Sequence, residues 1–360
     1  MFIKIPQLLY SVLNLIIINI YFGLLRLLKK KIIFFYHPKE NLTSIHDFYL
    51  SKLVKKNRPY KVVFGSKCIN KKHFYIKGVL LKFIFFVDIF VSNNISDTFT
   101  KKSKKVYIHH DIYDTPLVDR KDQFILKKRL LNYDVILIPS KKSSYIFDKI
   151  FGGEKKKPII KILGFYPKLN YLLGKIKKRN NNSQKIIVAP TQNDNFKNLN
   201  LNKYLALIIK RLINSNFTVI YRPHPSDIED SIVSKILKTH NKCNRFLLDT
   251  SSNYLKSYES TKFMITDVSG TAYTYALLTK NPVFFYSKNE NMIIKSDYRR
   301  LNYFKDRKKV GKIFNNITKM ISYLKSNNNK EIKKINKNIK SIYKKYFNKK
   351  VNIFDAIYKL

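Results

Sequence analysis

Residues 217–225 read Phe-Thr-Val-Ile-Tyr-Arg-Pro-His-Pro. A short apolar run stops abruptly at polar, turn-forming residues. Two other stretches end the same way: 184–191, Gln-Lys-Ile-Ile-Val-Ala-Pro-Thr, and 263–272, Phe-Met-Ile-Thr-Asp-Val-Ser-Gly-Thr-Ala. This is the form of a buried parallel strand ending at the carboxyl edge of an α/β sheet. Open sheets of this kind bind ligands at that edge. Here it carries Arg222, His224 and Asp267, followed by Ser269, Gly270 and Thr271 at the opening of a helix. Such a set suits a phosphate-bearing ligand.

Working outward, apolar runs recur at 32–36, 60–66, 85–92, 104–109, 133–140 and 158–165, alternating with longer polar-apolar segments. That alternation implies βαβ units and a parallel sheet. A polar stretch at 175–184 reads as a linker. A second series follows, with strands at 185–190, 217–222, 245–249, 262–266 and 282–286, the last closing the sheet. Helices fall near 199–214, 227–240, 253–260 and 270–279, and basic helical segments near 312–325 and 330–347. The expected organisation is an apolar helix over 1–31, an α/β domain over 32–174, the linker, a second α/β domain over 185–325, and basic helices over 326–360. Two sheets of this type facing each other enclose a cleft, a common place for a nucleotide-linked donor.

At 360 residues with 45% hydrophobic and 14% aromatic content, the chain can bury two cores. Lys and Arg number 71 against 23 Asp and Glu, a net charge of +48. A codon bias toward A and T explains the many Lys, Asn, Ile, Phe and Tyr residues. It does not explain the scarcity of acids, which the same bias permits. A field this positive favours anionic partners. The basic residues are spread along the chain and no nucleic-acid motif is visible, so nucleic acid is not an expected partner. An anionic membrane surface fits better, at about 1 kcal/mol per Lys or Arg held near it. Cys68 and Cys243 form neither a metal signature nor a disulfide framework. No metal-ligand cluster is visible, so neither metal nor cofactor is expected, and charge stabilisation should come from Arg, His and the helix terminus.

Residues 5–28 are strongly apolar and are followed by Lys29, Lys30 and Lys31. Their length just reaches that of a spanning helix, but Gln7, Ser11, Asn14 and Asn19 interrupt the run and would each need a partner in hydrocarbon. Leu9, Val12, Leu13, Ile16, Ile20 and Leu24 share one side at helical spacing, with Gln7, Ser11 and Asn14 on the other. Ile18 and Leu25 also fall on that second side. The expectation is a helix lying in the membrane face, held by apolar burial and the Lys triplet; the alternatives are a helix packed on the first domain and a true transmembrane anchor.

The chemistry of the strand ends can be read residue by residue. Pro223 fixes the backbone between Arg222 and His224. Arg can hold a phosphate through two parallel hydrogen bonds, and His224 can donate to another oxygen and stabilise a leaving group. Ser269, Gly270 and Thr271 open a helix whose free N–H groups attract phosphate. Asp267 would repel a phosphate, and suits a helix cap or a contact to a ribose hydroxyl or an Arg.

Four landmarks, taken in order, carry a resemblance. They are 106–117 (Val-Tyr-Ile-His-His-Asp-Ile-Tyr-Asp-Thr-Pro-Leu), Ala189-Pro190-Thr191, Arg222-Pro223-His224-Pro225, and Thr266-Asp267-Val268-Ser269 followed by 276–282 (Ala-Leu-Leu-Thr-Lys-Asn-Pro). Over about residues 85–290 the chain resembles the CDP-glycerol glycerophosphotransferase family, the polymerases and primases of teichoic-acid-like and capsular polymers. The resemblance implies a GT-B fold, two Rossmann-like domains with parallel sheets facing across a cleft. It also implies a transferase at the cytoplasmic face of the plasma membrane. Such an enzyme moves glycerol phosphate, or a related alditol phosphate, from CDP-glycerol or another CDP-alditol to a hydroxyl of a lipid-linked saccharide or growing polymer, releasing CMP. Arg222, His224, Asp267 and the 269–271 helix start would then serve the donor. His109 or His110 would deprotonate the acceptor, a role suited to imidazole, with Asp111 orienting whichever ring acts.

Two departures stand out. The family's usual His-Gly is a His pair followed by Asp111, and its usual Thr-Asp-Tyr-Ser-Ser is Thr-Asp-Val-Ser-Gly with Thr271 next. A GT-B sugar transferase using a nucleotide-sugar would share the same phosphate logic, and Arg-Pro-His-Pro is the feature that separates the two. A non-catalytic basic module bound to a membrane or polyanion is the reading from another class.

Overall fold

The computed structural model describes residues 4–38, 50–67, 73–109, 111–113, 123–177, 184–194, 196, 198–251, 253–326 and 328–360. His110, the Thr115-Pro116-Leu117 stretch and Cys68 lie outside the described residues. The chain divides into two compact units. The first comprises Met1–His110, Arg120–Lys168 and Lys349–Leu360, and the second Asp111–Asp119 and Leu169–Asn348.

The first unit holds a seven-stranded sheet in the order β3-β2-β1-β4-β5-β6-β7. Its strands are β1 (Lys31–His37), β2 (Tyr60–Ser66), β3 (Phe74–Tyr75), β4 (Ile89–Ser92), β5 (Lys104–Ile108), β6 (Val135–Ile138) and β7 (Ile159–Ile162). Every pairing is parallel. Side chains alternate along β1: Ile33 and Phe35 enter one core with Phe354 and Ile357, while Ile32, Phe34 and Tyr36 enter another with Ile18 and Phe22. A parallel sheet covered on both faces reads as continuous apolar runs, which is why 32–36 carries no polar residue. Strand β4 is shorter than the run at 85–92 suggests. Phe86 has φ 65°, a left-handed value that no strand residue adopts, so pairing starts only at Ile89.

Helix α1 (Lys4–Leu27) lies against this sheet by the side that carries its polar residues. Ser11 and Asn14 are buried beside Ile18, Phe22 and Leu25. Ser11 Oγ accepts the Lys77 N–H at 2.8 Å, and Asn14 Nδ2 donates to the Tyr10 carbonyl at 2.8 Å. Ile18 and Leu25, which blur the amphipathic pattern in the sequence, are thus the contacts of a protein-facing side. Leu9, Leu13, Ile16, Ile20, Leu24 and Leu27 are exposed on the other.

The second unit holds a six-stranded sheet, β10-β9-β8-β11-β12-β13, again all parallel. The strands are β8 (Lys185–Val188), β9 (Thr218–Tyr221), β10 (Phe246–Leu248), β11 (Phe263–Thr266), β12 (Val283–Tyr286) and β13 (Gly311–Phe314). Strand order reverses between β8 and β11, the switch point at which doubly wound sheets open a ligand crevice. The same reversal occurs between β1 and β4 in the first unit. Strand β13 corrects the sequence reading, which closed the sheet at 282–286 and placed 312–325 in one helix. Gly311 ends the helix Asn302–Val310, the tetrapeptide 311–314 adds an edge strand to β12, and Asn316 then caps the helix Ile317–Lys325 through the Lys319 N–H.

A side chain at Gly311 would collide with the β12 backbone: an added Cβ would lie 1.6 Å from the Val283 carbonyl oxygen. Gly311→Ala should therefore destabilise the protein by at least ~2 kcal/mol in denaturant unfolding. Gly23 in α1 has nothing within 4 Å, so Gly23→Ala should be neutral or stabilise by up to about 1 kcal/mol. Equal effects at the two glycines would contradict the β12–β13 packing.

Candidate donor-binding site

At the switch point of the second sheet, Asp267 follows β11 and is 2% exposed. Its Oδ1 accepts the N–H of Thr191 at 2.9 Å and of Val268 at 2.7 Å, and its Oδ2 accepts the N–H of Leu201 at 2.8 Å. Thr266 Oγ1 donates to the Ala189 carbonyl at 2.6 Å. The carboxylate therefore ties the chain leaving β8 to the chain leaving β11, and it sits beneath the edge. Burial raises its pKa from 3.8 to about 6, against the pull of the backbone donors.

The turn after β11 is held from the side by Tyr303, whose hydroxyl donates to the carbonyls of Ser269 at 3.1 Å and Asp267 at 3.3 Å. Ser269, Gly270 and Thr271 are half-buried at the start of the helix Thr271–Thr279. The Asp111 carboxylate stands directly over Gly270: a Cβ there would meet Asp111 Oδ1 at 2.7 Å. Asp111 Oδ1 also accepts the Ile112 N–H at 2.8 Å. A carboxylate thus lies at the helix start where the sequence suggested a ligand phosphate. Neighbouring Tyr113 packs against Tyr273 with ring centres 4.0 Å apart and planes tilted by 34°, and donates to Asp306 Oδ2 at 2.9 Å.

Arg222 leaves β9 with both terminal nitrogens engaged. Nη1 lies 2.8 Å from Asp249 Oδ2, and Nη2 donates to the Ser251 carbonyl at 2.9 Å. The guanidinium also covers the Tyr254 ring at 5.4 Å. Tyr254 packs on Tyr258 with centroids 4.6 Å apart, and the Tyr258 hydroxyl bonds Thr271 Oγ1. A continuous chain of contacts therefore joins Arg222 to the 269–271 helix start. Burial would raise the Asp249 pKa, but hydrogen bonds from Ser251 and Ser257 and the Arg222 charge together hold it below its ordinary value.

His224 sits between two prolines with extended backbone, and its Nδ1 accepts the Ser226 N–H at 3.2 Å. That bond assigns the proton of the neutral ring to Nε2. In the loop after β8, Asn193 donates from its N–H to Asp227 Oδ2 and from Nδ2 to Asp230 Oδ2, each at 2.8 Å. This fastens the β8 loop to the turn that carries His224.

In the first unit, His109 ends β5 and is fully buried, edge-on to Phe147 with centroids 5.2 Å apart. It lines a small cavity with Asn93, Tyr166 and Lys168. At that sheet's switch point, Asn94 Nδ2 stands 3.5 Å from His37 Nδ1. Asp249, Asn193, Tyr303 and His37 are residues of these sites that the sequence reading above does not name. Asp249 and His37 end strands and were open to that inference. Tyr303 reaches the site from a distant helix, which no local pattern reveals.

With this geometry in place, the sequence matches the profile of CDP-glycerol:poly(glycerophosphate) glycerophosphotransferases over residues 27–352. The chain belongs to that family. It is accordingly a transferase of GT-B fold. No curated protein sequence matches it significantly. Among solved structures it is similar to the wall teichoic acid polymerase TagF, at 17% identity and TM-score 0.61, covering 100% of this chain and 98% of that one. A TagF variant soaked with CDPG gives 18% identity and TM-score 0.60, covering 98% of this chain and 96% of that one. Anabaena HepE in complex with UDP and glucose gives 13% and 0.55, covering 92% and 100%. At these identities the structural likeness speaks for the fold.

Asp267 makes stability depend on pH in a defined direction. An acid whose folded pKa is about 6 holds a proton in the native state that the unfolded chain, at 3.8, has already released. Native stability from this group is therefore present at low pH and is lost as pH rises from about 4 to about 6. Measured by urea unfolding relative to Asp267→Asn, the wild type should lose up to ~3 kcal/mol across that window and stay level above it. A gap that widens in favour of the wild type as pH rises would show the opposite linkage.

Proposed function

We propose that the protein transfers glycerol phosphate, or a related alditol phosphate, from a CDP-linked donor to a hydroxyl of a lipid-linked saccharide or growing cell-surface polymer. The acceptor oxygen attacks the phosphorus that bears the glycerol, the bond to the cytidylyl phosphate oxygen breaks, and CMP leaves with that oxygen. The observation that carries this reading is the contact chain Arg222–Tyr254–Tyr258–Thr271, which ties a cation to a helix start at the carboxyl edge of the second sheet. Negative charge grows on the leaving phosphate, and preorganised donors aimed at it lower the barrier.

In this reading Asp249 and Ser251 hold the Arg222 guanidinium in one orientation, and the diphosphate competes with Asp249 for it. His224 donates from Nε2. Ser269, Gly270 and Thr271 offer the helix start, and a phosphate arriving there takes the place of the Asp111 carboxylate. Asp267 acts from beneath, by fixing the loops that carry these groups rather than by touching the ligand. His109 or His110 removes the acceptor proton. The protein works at an anionic membrane surface, where a lipid-linked acceptor resides; the apolar α1 and the net charge of +48 support that location.

The test is CMP release from CDP-glycerol by the full chain with a detergent-solubilised lipid-linked acceptor, with UDP-, GDP- and CMP-sugars as rival donors. Turnover should occur with CDP-glycerol or another CDP-alditol. His224→Ala should lower kcat/KM by about 10²–10³-fold. Arg222→Lys should not restore what Arg222→Ala loses, because Lys lacks the planar fork. Of His109→Ala and His110→Ala, the one that removes the base should lose kcat by about 10²–10⁴-fold with donor binding unchanged. Turnover of a nucleotide-sugar in place of CDP-glycerol would overturn the donor assignment.

A further inference from the structure

The outward side of α1 does not stand alone. Leu9, Leu13, Ile16, Ile20, Leu24 and Leu27 are 52–80% exposed along one stripe. The segment after the 3-10 turn Gly78–Phe83 adds three rings beside it: Phe83, Phe85 and Phe86, at 43%, 54% and 52% exposure. Two hydrogen bonds join the two elements. Asn19 Nδ2 donates to the Phe83 carbonyl at 2.9 Å, and the Phe85 N–H donates to Asn19 Oδ1 at 2.8 Å. Asn19, a polar residue that counts against a spanning helix, is used to fasten this loop.

The loop is pinned from beneath. Ile84 and Val87 are buried in the core under α1, so the chain between them turns its rings outward. Phe86 is held at φ 65°, a region that bulky L-residues avoid. Nothing in the core requires Phe85 and Phe86 to be aromatic. A soluble surface rarely carries a contiguous apolar patch of this extent without a use for it.

Charge selects the occupant. Lys82 is exposed at the patch, its Nζ 5.0 Å over the Phe83 ring, and Lys29 and Lys31 are exposed beyond the end of α1. Asp88, the acid at this border, is neutralised by Arg26 at 2.6 Å. An apolar face rimmed by cations matches an anionic leaflet. The inner side of α1 limits how it engages. Withdrawing the helix to span a bilayer would break the Ser11 and Asn19 hydrogen bonds and uncover Phe34 and Phe90.

We infer that α1 stays docked on the first sheet and that its outer stripe and the Phe83, Phe85 and Phe86 rings bed together into one leaflet of an anionic bilayer. This rests on the membrane location proposed above and adds a second inserting element and a depth. The chain has no Trp, so an introduced Trp reports alone. Full-length Phe85→Trp, Ile16→Trp and Val351→Trp proteins would be mixed with phosphatidylcholine–phosphatidylglycerol vesicles brominated at shallow or deep acyl positions. Val351 is exposed next to the helix Ile353–Tyr358, which covers the opposite face of the sheet. All three should sediment with vesicles. Emission from residues 85 and 16 should shift to the blue and be quenched more by shallow than by deep bromines, and emission from residue 351 should not change. Deep quenching dominant at residue 16 means a spanning helix and overturns the inference. Unquenched residue 85 on vesicle-bound protein also overturns it, while leaving the membrane location standing. Failure to bind vesicles, with the protein a stable oligomer without detergent, assigns the patch to a second copy and overturns both.

Discussion

The second unit is organised around a carboxylate that water does not reach. Asp267 receives three backbone N–H groups, from the chain leaving β8, from Leu201 and from its own turn. Those groups belong to loops that would otherwise leave buried donors unsatisfied at the point where the sheet reverses direction. Placing a carboxylate there costs desolvation, visible in its raised pKa. The return is positional: the β8 loop, the β11 turn and the start of the helix Thr271–Thr279 are fixed to one another. Tyr303 completes the frame from the far side, holding the carbonyls of Asp267 and Ser269.

On this frame the outer residues are arranged in pairs of opposite charge. Arg222 faces Asp249, and the start of the helix Thr271–Thr279 faces Asp111. Arg222 and the helix start are thus each matched by a carboxylate of the protein. Such pairing keeps a buried guanidinium from standing alone, which is strongly destabilising. It also means that an arriving diphosphate exchanges one anionic partner for another. The net gain then depends on the second negative charge and the extra acceptor oxygens that a phosphate brings.

Much of this was legible in the sequence. The strand ends at Arg222, His224 and Asp267 follow from apolar runs that stop at polar residues, a pattern that depends only on local burial. The family resemblance followed from the order of those same ends. What could not be read depended on contacts far apart in the chain. Asp267 suggests a cap or a ligand contact, because its actual partners, Thr191 and Leu201, lie more than sixty residues away. Strand β13 was hidden because its four residues sit between two helices and owe their extended form to pairing with β12. The role of Ser11 and Asn14 was hidden for a similar reason: a polar stripe on an apolar helix reads as solvent-facing until the partner sheet is known.

The most direct test of the account is calorimetric titration of CDP, with cytidine as a control, into the full-length protein and into Arg222→Ala and His224→Ala. CDP should bind, cytidine should bind far more weakly, and each substitution should weaken CDP by at least about 1.4 kcal/mol, a factor of ten, while leaving cytidine unchanged. Equal affinity of CDP for the wild type and both variants would contradict the assignment of the diphosphate to this edge of the second sheet.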